Sequence, residues 1–173
     1  MIENHIVFET DRLYVRKLNQ KDQDTFYALK SNPNVTNPLP RKVLDKIESN
    51  KELEMLIELE KSTSKTIWAI CEKYNNELIG CCGFMKNNEN NDEIGYQLRE
   101  CFWGKGYGTE IAKGLIEFGF NVLNSSLITA DVNIINKGSI KILNKFMKFE
   151  KEFYNENDNC IDQRFTISKS LFQ

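Results

Sequence analysis

The sequence has a single histidine, His5, and only three prolines, Pro33, Pro38 and Pro40. One histidine in the N-terminal stretch argues against a histidine-centred triad and a multi-histidine metal site, so no metal is expected. The five cysteines (Cys71, Cys81, Cys82, Cys101 and Cys160) are odd in number and lack C-x-x-C spacing. They read as reduced thiols of a cytoplasmic protein, neither a disulfide scaffold nor a zinc site. Cys71 and Cys81 fall in apolar strand patterns, the setting of a buried structural thiol. No apolar run approaches the roughly 20 residues of a spanning helix. The start, Met1-Ile-Glu-Asn-His-Ile6, has neither the basic opening nor the apolar core of a secretory signal. The formal charge is −2, so neither nucleic acid nor an anionic membrane surface is an expected partner.

What is present suits one domain over 1–173, long enough to bury a core. Leu13, Val15 and Leu18 predict a strand over roughly 12–18. Asn19-Gln-Lys-Asp22 offers a helix cap before Phe26 and Leu29. All three prolines sit in Ser31–Pro40, a loop that separates two helices. Val43, Leu44, Ile47, Leu53, Leu56, Ile57 and Leu59 supply the apolar face of the second. Thr66–Cys71 and Leu78–Phe84 read as strands joined across Tyr74-Asn-Asn-Glu77, a hairpin signal. Lys86–Asp92 is a polar turn, and Glu93–Arg99 another strand. Gly108, Ile111, Ala112, Leu115, Phe118, Gly119 and Val122 recur at helical spacing. Ser126–Val132 reads as a strand, Gly138–Phe146 as a helix, and the tail as two strands around Asn155–Asn159. The order β-α-α-β-β-β-α-β-α-β-β predicts an α/β (α+β) fold with a mixed central sheet flanked by helices.

The densest signal lies between the strand at Glu93–Arg99 and the helix that follows it. Trp103-Gly-Lys-Gly-Tyr-Gly-Thr109 places three alternate glycines, Gly104, Gly106 and Gly108, directly before helical periodicity. Glycine lets backbone N–H groups face a ligand, and a helix start adds unpaired donors and the positive end of the dipole. Together they suit a phosphate or pyrophosphate. A Walker loop requires G-x-x-x-x-G-K-[ST], which is absent. A Rossmann turn requires G-x-G-x-x-G after a first strand, and here Thr109 stands where the third glycine belongs.

The run Trp103–Glu110 resembles the acyl-coenzyme A loop of the GNAT superfamily of N-acetyltransferases, [Gln/Arg]-x-x-Gly-x-[Gly/Ala]. Gly106 and Gly108 match its small positions, and Trp103 replaces the usual Gln or Arg. Phe8-Glu-Thr-Asp-Arg-Leu-Tyr-Val-Arg16 resembles the opening strand of the branch that acetylates N-termini of ribosomal proteins. Val132–Ser139 resembles that branch's later coenzyme-contacting segment. The resemblance implies a GNAT-like, mostly antiparallel sheet and acetyl-CoA as cosubstrate. Amides from Gly104 through Lys105, Gly106, Tyr107 and Gly108 to Thr109 would hold the pyrophosphate. The main chain of Gln97, Leu98 and Arg99 would pair with the pantetheine arm like an added strand. Arg99 and Lys105 would lie beside the pyrophosphate, and Asn136 and Ser139 beside the arm and the thiol. The family also allows a homodimer, for which no sequence feature speaks.

The implied reaction is direct attack of a neutral amine on the thioester carbonyl. Several relatives carry a catalytic glutamate at the position of Glu93, which makes it the candidate base. Many relatives carry a tyrosine acid seven residues after the asparagine, and here that position is Leu143. Ser139 is then the candidate for protonating the departing thiolate, with Tyr96 and Tyr107 as alternatives. The branch resemblance implies a protein or peptide N-terminus as acceptor. A small amine (polyamine or aminoglycoside) and a non-catalytic acyl-CoA-binding role remain open readings.

Overall fold

The computed structural model describes residues 6–61 and 66–172; His5 lies outside them. Eight strands form one sheet: β1 (Ile6–Glu9), β2 (Leu13–Lys17), β3 (Thr66–Glu72), β4 (Leu78–Lys86), β5 (Asp92–Leu98), β6 (Leu127–Asn133), β7 (Lys148–Asn155) and β8 (Cys160–Ser168). The helices are α1 (Gln23–Lys30), α2 (Pro33–Thr36), α3 (Lys46–Leu59), α4 (Tyr107–Asn121) and α5 (Lys137–Leu143). The spatial order is β1-β2-β3-β4-β5-β6-β8-β7. Every neighbouring pair is antiparallel except β5 and β6, which run parallel.

Strand alternation gives the sheet two apolar faces. Leu13, Val15, Trp68, Ile70, Phe84, Ile94 and Leu98 pack with Ile111, Leu115, Ile116 and Phe120 of α4 and Leu143 of α5. The other face sets Tyr14, Ala69, Cys71 and Cys81 against Phe26 and Leu29 of α1 and Leu53 and Leu56 of α3. Cys71 and Cys81 are buried on that second face. Close approach of α4 to the sheet explains Gly119, where a Cβ would come within 2.6 Å of Ile128 Cδ1 and 3.1 Å of Phe84 Cζ. Four turns use an asparagine in the left-handed region, at Asn76, Asn90, Asn124 and Asn159, a conformation asparagine tolerates better than other side chains.

The structure differs from the sequence reading in four places. The N-terminal stretch forms a hairpin rather than one strand; β1 is a four-residue edge strand with little burial, so it carries no clear alternation. Within the proline loop, Asn32 accepts from Asn34 N–H and Pro33 opens a single helical turn, the position where proline is pre-organised. The third helix begins only at Lys46, capped by Asp45 with a reciprocal bond from Glu48. Val43 therefore precedes it, and Ile47 is exposed. The last helix stops at Leu143, short of Phe146.

Candidate active site

β5 and β6 pair at only two positions, Asp92 with Ile128 and Glu93 with Thr129. From Ile94 to Leu98 the sixth strand no longer accompanies the fifth, and a cleft opens between them. The Arg99 N–H donates to the Ile79 carbonyl at 2.8 Å, continuing the β4–β5 ladder. Antiparallel alternation turns the main chain of Gln97 and Gly95 toward β4 and that of Ile94, Tyr96 and Leu98 toward the cleft. Of the three residues expected to offer main chain to a pantetheine arm, Gln97 and Arg99 are thus turned away. Leu98 faces the cleft, and its carbonyl already accepts the indole Nε1–H of Trp103 at 2.8 Å.

Beyond Leu98 the chain makes a short 3₁₀ turn and enters the glycine loop. Gly104 and Gly106 have φ of 73° and 83°, a region that strains any residue with a Cβ. No side chain caps α4, whose N-cap is Gly106, and the first intrahelical bond there is Glu110 N–H to the Gly106 carbonyl. The N–H groups of the first turn are consequently free to meet an anion. Lys105 is exposed, with Nζ 4.9 Å from the Phe102 ring centre. Lys145, not singled out from the sequence, donates to Thr109 Oγ1 at 3.3 Å and brings a second cation to the helix start. The Arg99 guanidinium pairs with Glu77 and donates to the Leu78 carbonyl, and it lies 5.3 Å from the centre of the Phe102 ring that Lys105 also approaches.

Side-chain parity on β5 divides the site. Even-numbered residues face α4 and α5; odd-numbered ones face the α1–α3 side. A Cβ on Gly108 would lie 2.8 Å from Ile142 Cδ1 and 3.9 Å from the Tyr96 ring, so α4, α5 and Tyr96 converge there. Among the described residues the buried Tyr96 hydroxyl has no partner in hydrogen-bond geometry. Burial pushes its pKa up to about 12, partly opposed by the Ser139 hydroxyl. Asn136 Oδ1 accepts Ser139 N–H at 3.2 Å, the N-cap of α5. That capping oxygen is committed to the helix.

On the opposite face, the Glu93 side chain makes no hydrogen bond or ion pair among the described residues, while its main chain stays in the ladder opposite Met85. Burial, and then the charge of Asp131, push its carboxyl up to about 7, against Arg164 and with a further contribution from Asp162. Register explains the company: Thr129 is the partner of Glu93, Asp131 is two residues along the same face, and Arg164 lies opposite Asp131 on β8. Arg164 holds Asp131 with two bonds of 2.7 Å and reaches Asn88 Oδ1 at 3.0 Å. Its Nη1 stands 2.8 Å from Glu89 as an ion pair without hydrogen-bond alignment. An open cavity of about 390 Å³ lies at the Arg99 end of β5, lined by Ala28, Asn32, Arg99, Glu100 and Cys101. It is roughly 20 Å of strand away from Glu93, and so is not the place where an amine would meet that carboxylate.

A family of acetyltransferase (GNAT) domains matches residues 12–146. The uncharacterised N-acetyltransferase p20 of Bacillus licheniformis is 36% identical over 148 residues, which cover 83% of this chain and 82% of that protein. An acetyltransferase of Salmonella typhimurium that modifies the N-terminal serine of a 50S ribosomal subunit protein superposes with a TM-score of 0.79 at 16% identity, covering 95% of this chain and 99% of its own. Spermidine N-acetyltransferase of Vibrio cholerae, in complex with CoA and spermine, gives 0.78 at 16% identity over 93% and 98%. The chain belongs to the GNAT family of acetyl-CoA-dependent N-acetyltransferases. Among the described residues no helix is long and apolar enough to cross a membrane.

Proposed function

We propose that the acceptor is the α-amine of a protein or peptide N-terminus, that Glu93 takes its proton, and that the loop at Gly104–Thr109 holds the pyrophosphate of acetyl-CoA. The amine approaches from the α1–α3 side, where Glu93 faces. The coenzyme arm lies in the cleft and its thiol end is on the α4–α5 side, near Ser139. The neutral amine attacks the thioester carbonyl, the C–N bond forms, and Glu93 accepts the proton that nitrogen sheds. The tetrahedral oxyanion collapses and the C–S bond breaks; Ser139 passes a proton to the thiolate while taking one from water, and Glu93 releases its proton to solvent, so both side chains return to their starting states.

One observation carries the choice of acceptor: a carboxyl at about 7 on the amine side of the cleft. An α-ammonium near pKa 8 lies about one unit above such a base, whereas an alkylammonium near 10.4 lies more than three above it. The α-amine therefore suits this base better. The Salmonella protein, too, modifies an N-terminal residue, a serine. A polyamine, the acceptor of the Vibrio protein, is favoured by a different feature. Glu93, Asp131 and Asp162 lie near Arg164, and Glu89 beside it is shared between Arg164 and Lys151; the carboxylates outnumber the two cations, an excess that would draw a polycation. Thiol release from acetyl-CoA, measured with a panel of N-terminal peptides, spermidine and an aminoglycoside, decides between them. Turnover with peptides and little with spermidine is expected. The reverse order overturns the acceptor assignment, and tight CoA binding without turnover of any amine overturns the catalytic one.

A further inference from the structure

The opening segment Thr10-Asp-Arg12 lies far in sequence from the glycine loop, yet three of its groups converge on one carboxylate at the start of α4. Thr10 Oγ1 donates to Glu110 Oε1 at 2.6 Å, and Arg12 N–H donates to the same oxygen at 2.7 Å. Arg12 Nε donates to Glu110 Oε2, also at 2.7 Å. Arg12 Nη1 then reaches over to the carbonyl of Lys105 at 3.0 Å, within the loop itself. The guanidinium stacks 4.4 Å above the Tyr107 ring, whose hydroxyl donates to Glu72. Lys73 pins the turn from behind, by Nζ to the Thr10 carbonyl at 2.7 Å and by its own N–H to the Arg12 carbonyl.

This arrangement answers an electrostatic difficulty. Glu110 is an acid in the first turn of α4, where a carboxylate competes with any bound anion for the positive end of the helix. Left uncompensated, it would repel the pyrophosphate that the loop is shaped to take. Arg12 meets it with a charge-assisted bond and spends a second donor on the loop carbonyl that precedes Gly106. The planar fork makes both contacts at once, which a lysine cannot.

We propose that Arg12 is a positioning residue for acetyl-CoA. It neutralises Glu110 and ties the Lys105 carbonyl back, so that the first-turn amides of α4 face outward as an anion site. The inference rests on the reading of Gly104–Thr109 as the pyrophosphate cradle and adds a residue to it.

Calorimetry with CoA, and nuclear magnetic resonance titration with pantetheine, which lacks the pyrophosphate, supply the test. Arg12→Met should weaken CoA binding about tenfold, allowing for the partial exposure of the side chain. Its effect on pantetheine should stay within about twofold. In turnover, the loss should fall on the KM for acetyl-CoA more than on kcat. Adding Glu110→Gln to Arg12→Met should recover much of the affinity, since the repelling carboxylate is then gone; a merely structural clamp predicts a double variant as weak as the single one. If Arg12→Met fails to fold, Arg12→Lys takes its place, with a loss of about threefold expected from one point charge in place of the fork. Unchanged CoA affinity, equal losses for CoA and pantetheine, or no recovery in the double variant each overturns the proposal while leaving the cradle in place. Wild-type protein that binds no CoA overturns the cradle and the proposal together.

Discussion

Glu93 is a side chain placed at odds with stability, as the base proposed for it would have to be. An exposed glutamate titrates near 4.3, and here burial and Asp131 carry it to about 7. The folded state therefore holds this proton more tightly than the unfolded chain does. Its contribution to folding is fully present below about pH 4 and is lost as pH rises through 7; above that, the half-buried carboxylate costs on the order of 2 kcal/mol, once the shift is discounted for partial exposure. Glu93→Gln should therefore raise Tm at pH 8 by roughly 4–8 °C. In the same variant, turnover should fall about 10²-fold and lose the acidic limb of its pH profile near 7. Thermal melts and rates across pH 5.5–9, as about half-unit steps, check both signs. The candidacy of Glu93 was legible because the residue opens the strand that feeds the glycines. Its regulators were not: Asp131 and Arg164 are 33 residues apart, and only the register of β6 against β8 brings them opposite one another. The same is true of Arg12, 98 residues from the glutamate it holds, although Thr10-Asp-Arg12 stood in the opening motif.

Among the elements, α4 was the most legible, since its apolar residues recur at 3.6 and its glycines mark both its start and its contact with the sheet. The cap-rich boundaries were harder. Val43 and Ile47 fit a helical stripe on paper, but Asp45 and Glu48 form a capping box that starts α3 later and leaves Ile47 in solvent. Edge strand β1 gave no signal, because a half-covered four-residue strand has no alternation to read. The start of α4 also yields a sharp expectation. Gly106 has φ 83°, and a Cβ there would meet Arg12 Nη2 at 3.3 Å. Gly106→Glu would strain the turn by about 1–2 kcal/mol and place a carboxylate in the mouth of the anion site. CoA binding in calorimetry should be abolished, while the circular-dichroism spectrum of the folded chain is kept. Retained affinity would remove the loop from the coenzyme site.

At the scale of the molecule, the mixed, mostly antiparallel sheet was readable from element order, and the place where it divides was not, since no local pattern shows where two neighbouring strands part. Arg164 is the tie across the smaller half. Its side chain is 2% exposed, it holds Asp131 of β6 and the β4–β5 turn at Asn88 and Glu89, and it stacks on Phe153 of β7. Arg164→Met should cost about 3–5 kcal/mol in urea unfolding, because Asp131 is left charged and unpaired. Adding Asp131→Asn should return a large part of that. A single-variant loss below about 1 kcal/mol would show the pair to be dispensable. The two-residue contact between β5 and β6 has one more consequence. An eight-strand ladder is only as cooperative as its narrowest section, and among the described residues β5 and β6 stay in register only at Asp92 with Ile128 and Glu93 with Thr129. The amides of Tyr96 and Leu98, past that seam, should be the first in the sheet's interior to exchange with solvent deuterium. The line along which this fold should open most readily is the line along which its cosubstrate would be threaded.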